Sequence, residues 1–282
     1  MRIIRLLIGI GLLGVAGCFP LRAPERVTEY ASCEQARKAA ASGEKVAYIN
    51  LYDQGISAYP EGLDQIAGLE KLSLRRNTMT NLSPAVGRLV DLRWLDLAEG
   101  KLTGLPSEAA RLEKLRVLYL SDNPITNFPS TLCGLASLEY LNLDRNKLTS
   151  LPAGIGGLSG LKWLRLNGNA LASLPDEVGS LVSLRRLYLR QNTLAALPET
   201  LGALSELTDL SLSGNKLTAI PAWIGGMQNL RRLDLDRNAL TAVPEELGRL
   251  TSLRCLRLDG NKLSDEEKQR ARDLLPGCQI VF

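Results

Sequence analysis

From position 46 onward the chain repeats one arrangement of apolar and polar positions every 23 residues. The first apolar position of each unit falls at Val46, Leu69, Leu92, Leu115, Leu138, Leu161, Leu184, Leu207, Leu230 and Leu253. Ten units in strict phase define an array that grows along one axis rather than around a single core. In residues 138–160, LEYLNLDRNKLTSLPAGIGGLSG, the alternation Leu141-Asn142-Leu143 predicts a short strand with both leucines on one face and the residue between them on the other. A polar column follows the strand: Asn77, Asn123, Asn146, Asn169, Asn192, Asn215, Asn238 and Asn261, interrupted at Gln54 and Gly100. An amide there can both donate to and accept from buried backbone groups of neighbouring units, which a hydrophobe cannot do. Next come Leu-Pro, as at Leu151-Pro152, and a segment rich in Gly, Glu and Ser that suits a tight turn or short helix with proline near its start. Strands stacked ~4.8 Å apart on one side and bulkier turns on the other bend such an array into an arc whose concave side is a parallel sheet. No unit can bury its own apolar face, so stacking is obligatory.

Each unit reads L-x-x-L-x-L-x-x-N-x-L-x-x-L-P-x-x-I/L/V-G-x-L-x-x, which resembles the leucine-rich repeat throughout residues 46–263. The L-P-x-x-I-G-x-L form is similar to repeats of Ras-suppressor and Ras-scaffold proteins and of many bacterial surface proteins. This resemblance implies an α/β leucine-rich repeat solenoid, with a curved parallel sheet on the concave side and turns or short helices on the convex side.

The two ends depart from the repeat. Residues 1–18, MRIIRLLIGIGLLGVAGC, carry two arginines, then an apolar run from Leu6 to Val15, then small residues before Cys18. This is a signal-peptide layout, and the run is shorter than the ~20 residues that a membrane-spanning helix needs. Val15-Ala16-Gly17-Cys18 resembles the bacterial lipobox, which implies removal of residues 1–17 and acylation of Cys18 with palmitate-type chains on its thiol and new amino group. Each buried methylene contributes ~0.8 kcal/mol, so two or more chains give a stable anchor. Phe19 stands where an inner-membrane retention Asp would be, and the resemblance therefore points to the outer membrane of the cell envelope. Residues 18–28 read as the lipidated cysteine and a linker. Over residues 29–45 the S-x-x-Q capping box of Ser32 and Gln35, an Ala-rich run and Gly43 predict a helical cap. At residues 264–282, Ser264 with Glu267 predicts a second capped helix running to Leu275, and Cys278 to Phe282 a last strand.

Composition narrows the chemistry. The formal charge of +4 includes Arg2 and Arg5, so +2 remains without the presequence, and no field for nucleic acid is left. Histidine is absent from the sequence, which removes imidazole acid/base catalysis, Ser/His/Asp and Cys/His nucleophiles and imidazole zinc sites. Gly154, Gly156 and Gly160 sit at outer-turn positions with no Lys-Ser/Thr after them, so they are not a phosphate loop. The sequence thus predicts neither an enzyme, nor a cofactor, nor a metal site. Of the remaining cysteines, Cys33, Cys133, Cys255 and Cys278, the last two fall on opposite strand faces, which disfavours a bridge.

Side chains that the fold leaves free lie on the concave strands. Five of the chain's ten Tyr and Trp residues, Trp94, Tyr119, Tyr140, Trp163 and Tyr188, gather there on units three to seven, where strand parity predicts that they face solvent. Such a cluster reads as the centre of an interface, or else as cross-strand stacking that stabilises the sheet. Arg165, Arg186 and Arg190 flank it, with Arg231 and Arg232 beyond, interleaved with Asp209, Asp234 and Asp236. Arg186, Asp209 and Arg232 share one column, so a self-neutralising ladder competes with an anion site. Mixed charge favours a protein or peptide partner at Trp94, Tyr119, Tyr140, Trp163, Arg165, Arg186, Tyr188 and Arg190. The alternative reading is an envelope glycan or lipid headgroup.

Overall fold

The structure, a computed structural model, describes residues 28–282; the expected signal sequence, Cys18 and the expected linker up to residue 27 lie outside the described residues. The chain forms β1 (Glu29–Tyr30), α1 (Cys33–Ala41), β2 (Tyr48–Asn50), β3 (Lys71–Ser73), β4 (Trp94–Asp96), β5 (Val117–Tyr119), β6 (Tyr140–Asn142), β7 (Trp163–Arg165), β8 (Arg186–Tyr188), β9 (Asp209–Ser211), β10 (Arg232–Asp234), β11 (Cys255–Arg257), α2 (Asp265–Leu274) and β12 (Gln279–Val281). These strands make one 12-stranded parallel sheet in chain order, the open curved sheet of a solenoid. Register follows the sequence period: Tyr140 pairs with Trp163, Leu141 with Leu164 and Asn142 with Arg165. One aliphatic core therefore runs the length of the array, built from stacked leucines such as Leu138, Leu141, Leu143, Leu148 and Leu158, all fully buried.

The outer side resolves into short 3₁₀ helices rather than α-helical turns. In Ala153–Gly157 the preceding Pro152 holds the N-cap position in extended backbone, and the same proline recurs before the equivalent helices from Ser107–Arg111 to Glu245–Arg249. Glycine lets these turns stack closely: a Cβ on Gly157 would lie 2.2 Å from the Cys133 carbonyl oxygen.

Both caps follow their local chemistry. Ser32 accepts the Gln35 N–H at the start of α1, and Ser264 accepts the Glu267 N–H at the start of α2. The N-terminal cap also holds β1, a strand that the helical expectation for this segment did not include; Glu29 and Tyr30 pair with Tyr48 and Ile49 and so cover the edge of β2.

From Asn123 to Asn261 the asparagine column forms an unbroken ladder, with a gap before it at Gly100. Asn146 Nδ2 donates to the carbonyls of Leu120 at 2.9 Å and Leu143 at 3.0 Å, and its Oδ1 accepts the Ile125 N–H at 3.3 Å. Just before each ladder position the backbone enters the left-handed region, at Asp53, Arg76, Glu99, Asp122, Arg145, Gln191 and Arg237 and at Gly168, Gly214 and Gly260. Three glycines at multiples of the repeat length were the only sequence trace of this turn.

Candidate binding surface

Strand parity turns two side-chain columns toward the concave face, one led by Trp94, Tyr140 and Trp163 and the other by Tyr119, Arg165 and Tyr188. Their rings do not stand apart in solvent as the alternation suggested. Trp94 and Tyr119 lie 5.9 Å apart between centroids, Tyr119 and Tyr140 5.0 Å, and Tyr140 and Trp163 5.7 Å, all in tilted geometries that aromatic quadrupoles favour. The path zigzags because Val117, opposite both Trp94 and Tyr140, is too small to fill its place, and Tyr119 leans in from the neighbouring column. Tyr48 extends the row to Trp94 at 6.3 Å. Tyr140, in the middle, is only 8% exposed, whereas Trp94, Tyr119, Trp163 and Tyr188 are half-buried. The expectation of five solvent-facing aromatics is corrected accordingly: neighbouring rings cover one another, and the alternative of cross-strand stacking describes part of what they do.

Electrostatics follow from that packing. Burial, and then the neighbouring Tyr119 hydroxyl, push the Tyr140 phenol well above its ordinary range. Burial pushes Tyr48 up to about 12, helped by Glu29 and Asp96. Both phenols are neutral donors and acceptors at any physiological pH.

The arginines are absorbed into the same surface. The Arg186 guanidinium lies 4.2 Å from the Trp163 ring centroid and 3.5 Å from Asp209. Arg165 lies 5.4 Å from the Tyr188 centroid and donates Nε to Asp144 Oδ2 at 2.8 Å. Arg190 is exposed beyond the end of β8 and makes no ion pair among the described residues. The self-neutralising column is only half formed, since Arg232 turns from Asp209 to its own strand's Asp234 at 3.0 Å. Sequence reasoning named Asp236 but not its burial, and missed the equally buried Asp144; both sit one position beyond the strand leucines, and charged residues recurring at that column were the available signal.

Cys33, Cys133, Cys255 and Cys278 are free thiols. Cys255 is in register with Gln279, so Cys278 is offset by one residue, and burial pushes the Cys278 thiol up to about 11. Among the described residues no group of His, Cys, Asp and Glu is arranged to hold a metal ion, and no helix is long and apolar enough to cross a membrane.

A parallel sheet in chain order, an asparagine ladder and proline-capped outer turns together define a leucine-rich repeat solenoid. Family models agree: one described as a leucine rich repeat matches residues 90–148, and one described as a leucine-rich repeat region matches residues 153–275. No catalytic family is indicated, and comparison with curated proteins gives no match. Among solved structures, the chain is similar to the repeat ectodomain of the plant membrane receptor kinase GASSHO1/SCHENGEN3 from Arabidopsis thaliana, with 34% identity and a TM-score of 0.67 over 77% of this chain and 27% of that one. It is also similar to the Arabidopsis receptor kinase HAESA, with 29% identity and a TM-score of 0.69 over 79% of this chain and 39% of that one. An internalin from Listeria monocytogenes shares the fold, with 20% identity and a TM-score of 0.62 over 90% of this chain and 89% of that one. The chain thus spans well under half the length of the two plant receptors it matches.

Proposed function

We propose that this protein is a bacterial lipoprotein, anchored to the cell envelope through Cys18, that binds a protein or peptide along the concave strands β4 to β8. The observation that carries the reading is the ring ladder from Trp94 to Trp163, continued by Arg186 and by the Arg165–Tyr188 pair. Its rings are held in place by one another before any partner arrives, so docking there spends little conformational entropy. Trp94, Trp163 and Tyr188 remain half-open, which supplies the large, rigid contact area typical of interface anchors. Relatives lend support: the GASSHO1/SCHENGEN3 ectodomain was solved in complex with CASPARIAN STRIP INTEGRITY FACTOR 2, and HAESA in complex with the peptide hormone IDA and a co-receptor. Neither an acid/base pair nor a nucleophile enters this account, and the module acts by recognition.

Affinity capture from envelope extracts tests the surface. Wild type should retain a polypeptide that Trp163→Ala and Trp94→Ala lose, with unchanged circular dichroism. Equal recovery by all three proteins, or retention of glycan or lipopolysaccharide instead, would overturn the reading. The anchor is tested separately by labelled palmitate, which should enter wild type and not Cys18→Ala.

A further inference from the structure

Beyond the aromatic rows, the concave sheet holds a carboxylate whose position the repeat reproduces but whose partner it does not. Asp144, after β6, receives Arg165 Nε on Oδ2 at 2.8 Å and the Asn167 N–H on Oδ1 at 2.7 Å. Four units further on, Asp236 and Arg257 occupy the same two positions. There the arginine turns away: its Nε stands 4.0 Å from Asp236 Oδ1, while its Nη2 reaches Asp259 at 3.3 Å. Asp236 Oδ2 accepts the Ser213 hydroxyl at 2.7 Å, but Oδ1 has no donor, although the side chain is only 2% exposed. Beside it, buried Asp234 takes Arg232 at 3.0 Å and the Ser211 hydroxyl at 3.3 Å. Asp234, Asp236 and Asp259 thus face Arg232 and Arg257, three carboxylates against two guanidiniums. A buried carboxylate oxygen without a donor is costly, and the arrangement gains most from a cation supplied from outside.

We propose that the partner is an extended polypeptide segment that places a lysine or arginine on Asp236, between Asp234 and Asp259, while an apolar or aromatic side chain of the same segment lies on Trp163. The inference rests on the concave-face reading and specifies the chemistry of its partner. Arg257 already leans toward Asp259, so the incoming cation takes the place that Arg165 fills against Asp144. From β7 to β10 is three strand spacings, about 14 Å. Asp236 lies four residues beyond Arg232, the position in register with Trp163, about 13 Å along the strand direction. The two sites are therefore about 19 Å apart, which about six residues of extended chain cover at ~3.4 Å each. The cation therefore follows or precedes the anchor by about six positions.

A random-peptide display library selected on the soluble chain, without its presequence, tests both levels. Selected peptides should combine a large apolar or aromatic residue with Lys or Arg about six positions away. Synthetic copies should lose at least about tenfold in affinity on Asp236→Asn, which keeps the Ser213 contact, and on acetylation of the peptide lysine, which leaves the protein untouched. Peptides that lose affinity on Trp163→Ala, yet show no basic preference and bind Asp236→Asn and the acetylated form unchanged, would overturn the cation site and leave the concave-face reading standing. Selection that yields no peptide sensitive to Trp163→Ala would overturn both.

Discussion

Removing two adjacent rungs of the asparagine ladder should destabilise the protein by more than the two single losses together, whereas removing two rungs with an intact one between them should not. The reason lies in how the carbonyls are shared. Leu143 O accepts Asn146 Nδ2 at 3.0 Å and Asn169 Nδ2 at 3.0 Å, and Leu120 O accepts Asn123 at 3.1 Å and Asn146 at 2.9 Å. In Asn146→Ala each carbonyl keeps one donor, and the Ile125 N–H alone is stranded; with one orphaned buried amide and the bonds lost, the cost is about 3 kcal/mol. Combining Asn146→Ala with Asn169→Ala strips Leu143 O of both donors, which adds a coupling of about 1–3 kcal/mol. Asn146 and Asn192 share no carbonyl, so their effects should add within about 0.5 kcal/mol. Urea unfolding followed by circular dichroism measures both cycles, with m-values compared because long arrays can lose cooperativity. Equal coupling in the two cycles, or none in the adjacent one, would refute the shared-carbonyl argument. Gly100 shows the single-gap case within the protein itself: Leu74 O is still served by Asn77 at 2.8 Å and Leu97 O by Asn123 at 2.9 Å.

Tyr140→Ala should destabilise by about 3 kcal/mol, since a nearly buried ring and two ring contacts are lost, while half-buried Trp163→Ala costs clearly less; equal urea midpoints for the two would contradict the ladder's geometry. Gln191→Gly should stabilise by about 0.5–1 kcal/mol, because its φ of 53° is strained for an L side chain and relief of that strain exceeds glycine's entropy in the unfolded chain; a lowered thermal midpoint would refute this. Burial holds the Asp96 carboxyl above its ordinary range, against the opposing Ala98 N–H bond, so the folded state binds the proton more tightly than the unfolded state does. Stability from this group is present at low pH and lost as pH rises past the ordinary Asp value of about 4. Asp96→Asn should therefore raise the thermal midpoint at pH 7, with the gain shrinking as pH falls toward about 4. A gain that stays constant with pH would assign the effect to packing instead.

Period-two leucines, the asparagine column and the two capping boxes each have one physical use, and the sheet, the ladder and both helix starts were legible from them. What the sequence hid depends on size and angle rather than on pattern. Nothing in an alternation says that Val117 leaves room into which Tyr119 leans, yet that lean turns a row of exposed rings into a mutually covering stack. Charge columns show which residues face one another, but not that Arg232 prefers Asp234 on its own strand, or that Arg257 reaches Asp259 at 3.3 Å while standing 4.0 Å from Asp236. The left-handed turn was obscured because seven of its ten positions carry ordinary side chains.

On the concave face, the proposed binding surface, recognition and stability would be joined, since the same ring contacts would serve both. A residue in the middle of the stack, Tyr140, touches rings on both sides and lies mostly covered, so its loss loosens three strands before any partner is considered. Trp163 is held on one side by Tyr140 and overlaid by Arg186, which pairs with Asp209; these contacts fix the indole's orientation while leaving it half-open. Beyond that junction the concave side chains change from rings to paired carboxylates and guanidiniums, where a substitution alters charge with little change in packed volume. Affinity is therefore best separated from stability at Trp163 and further along the arc, where a change touches the partner's side of the surface more than the sheet's own packing.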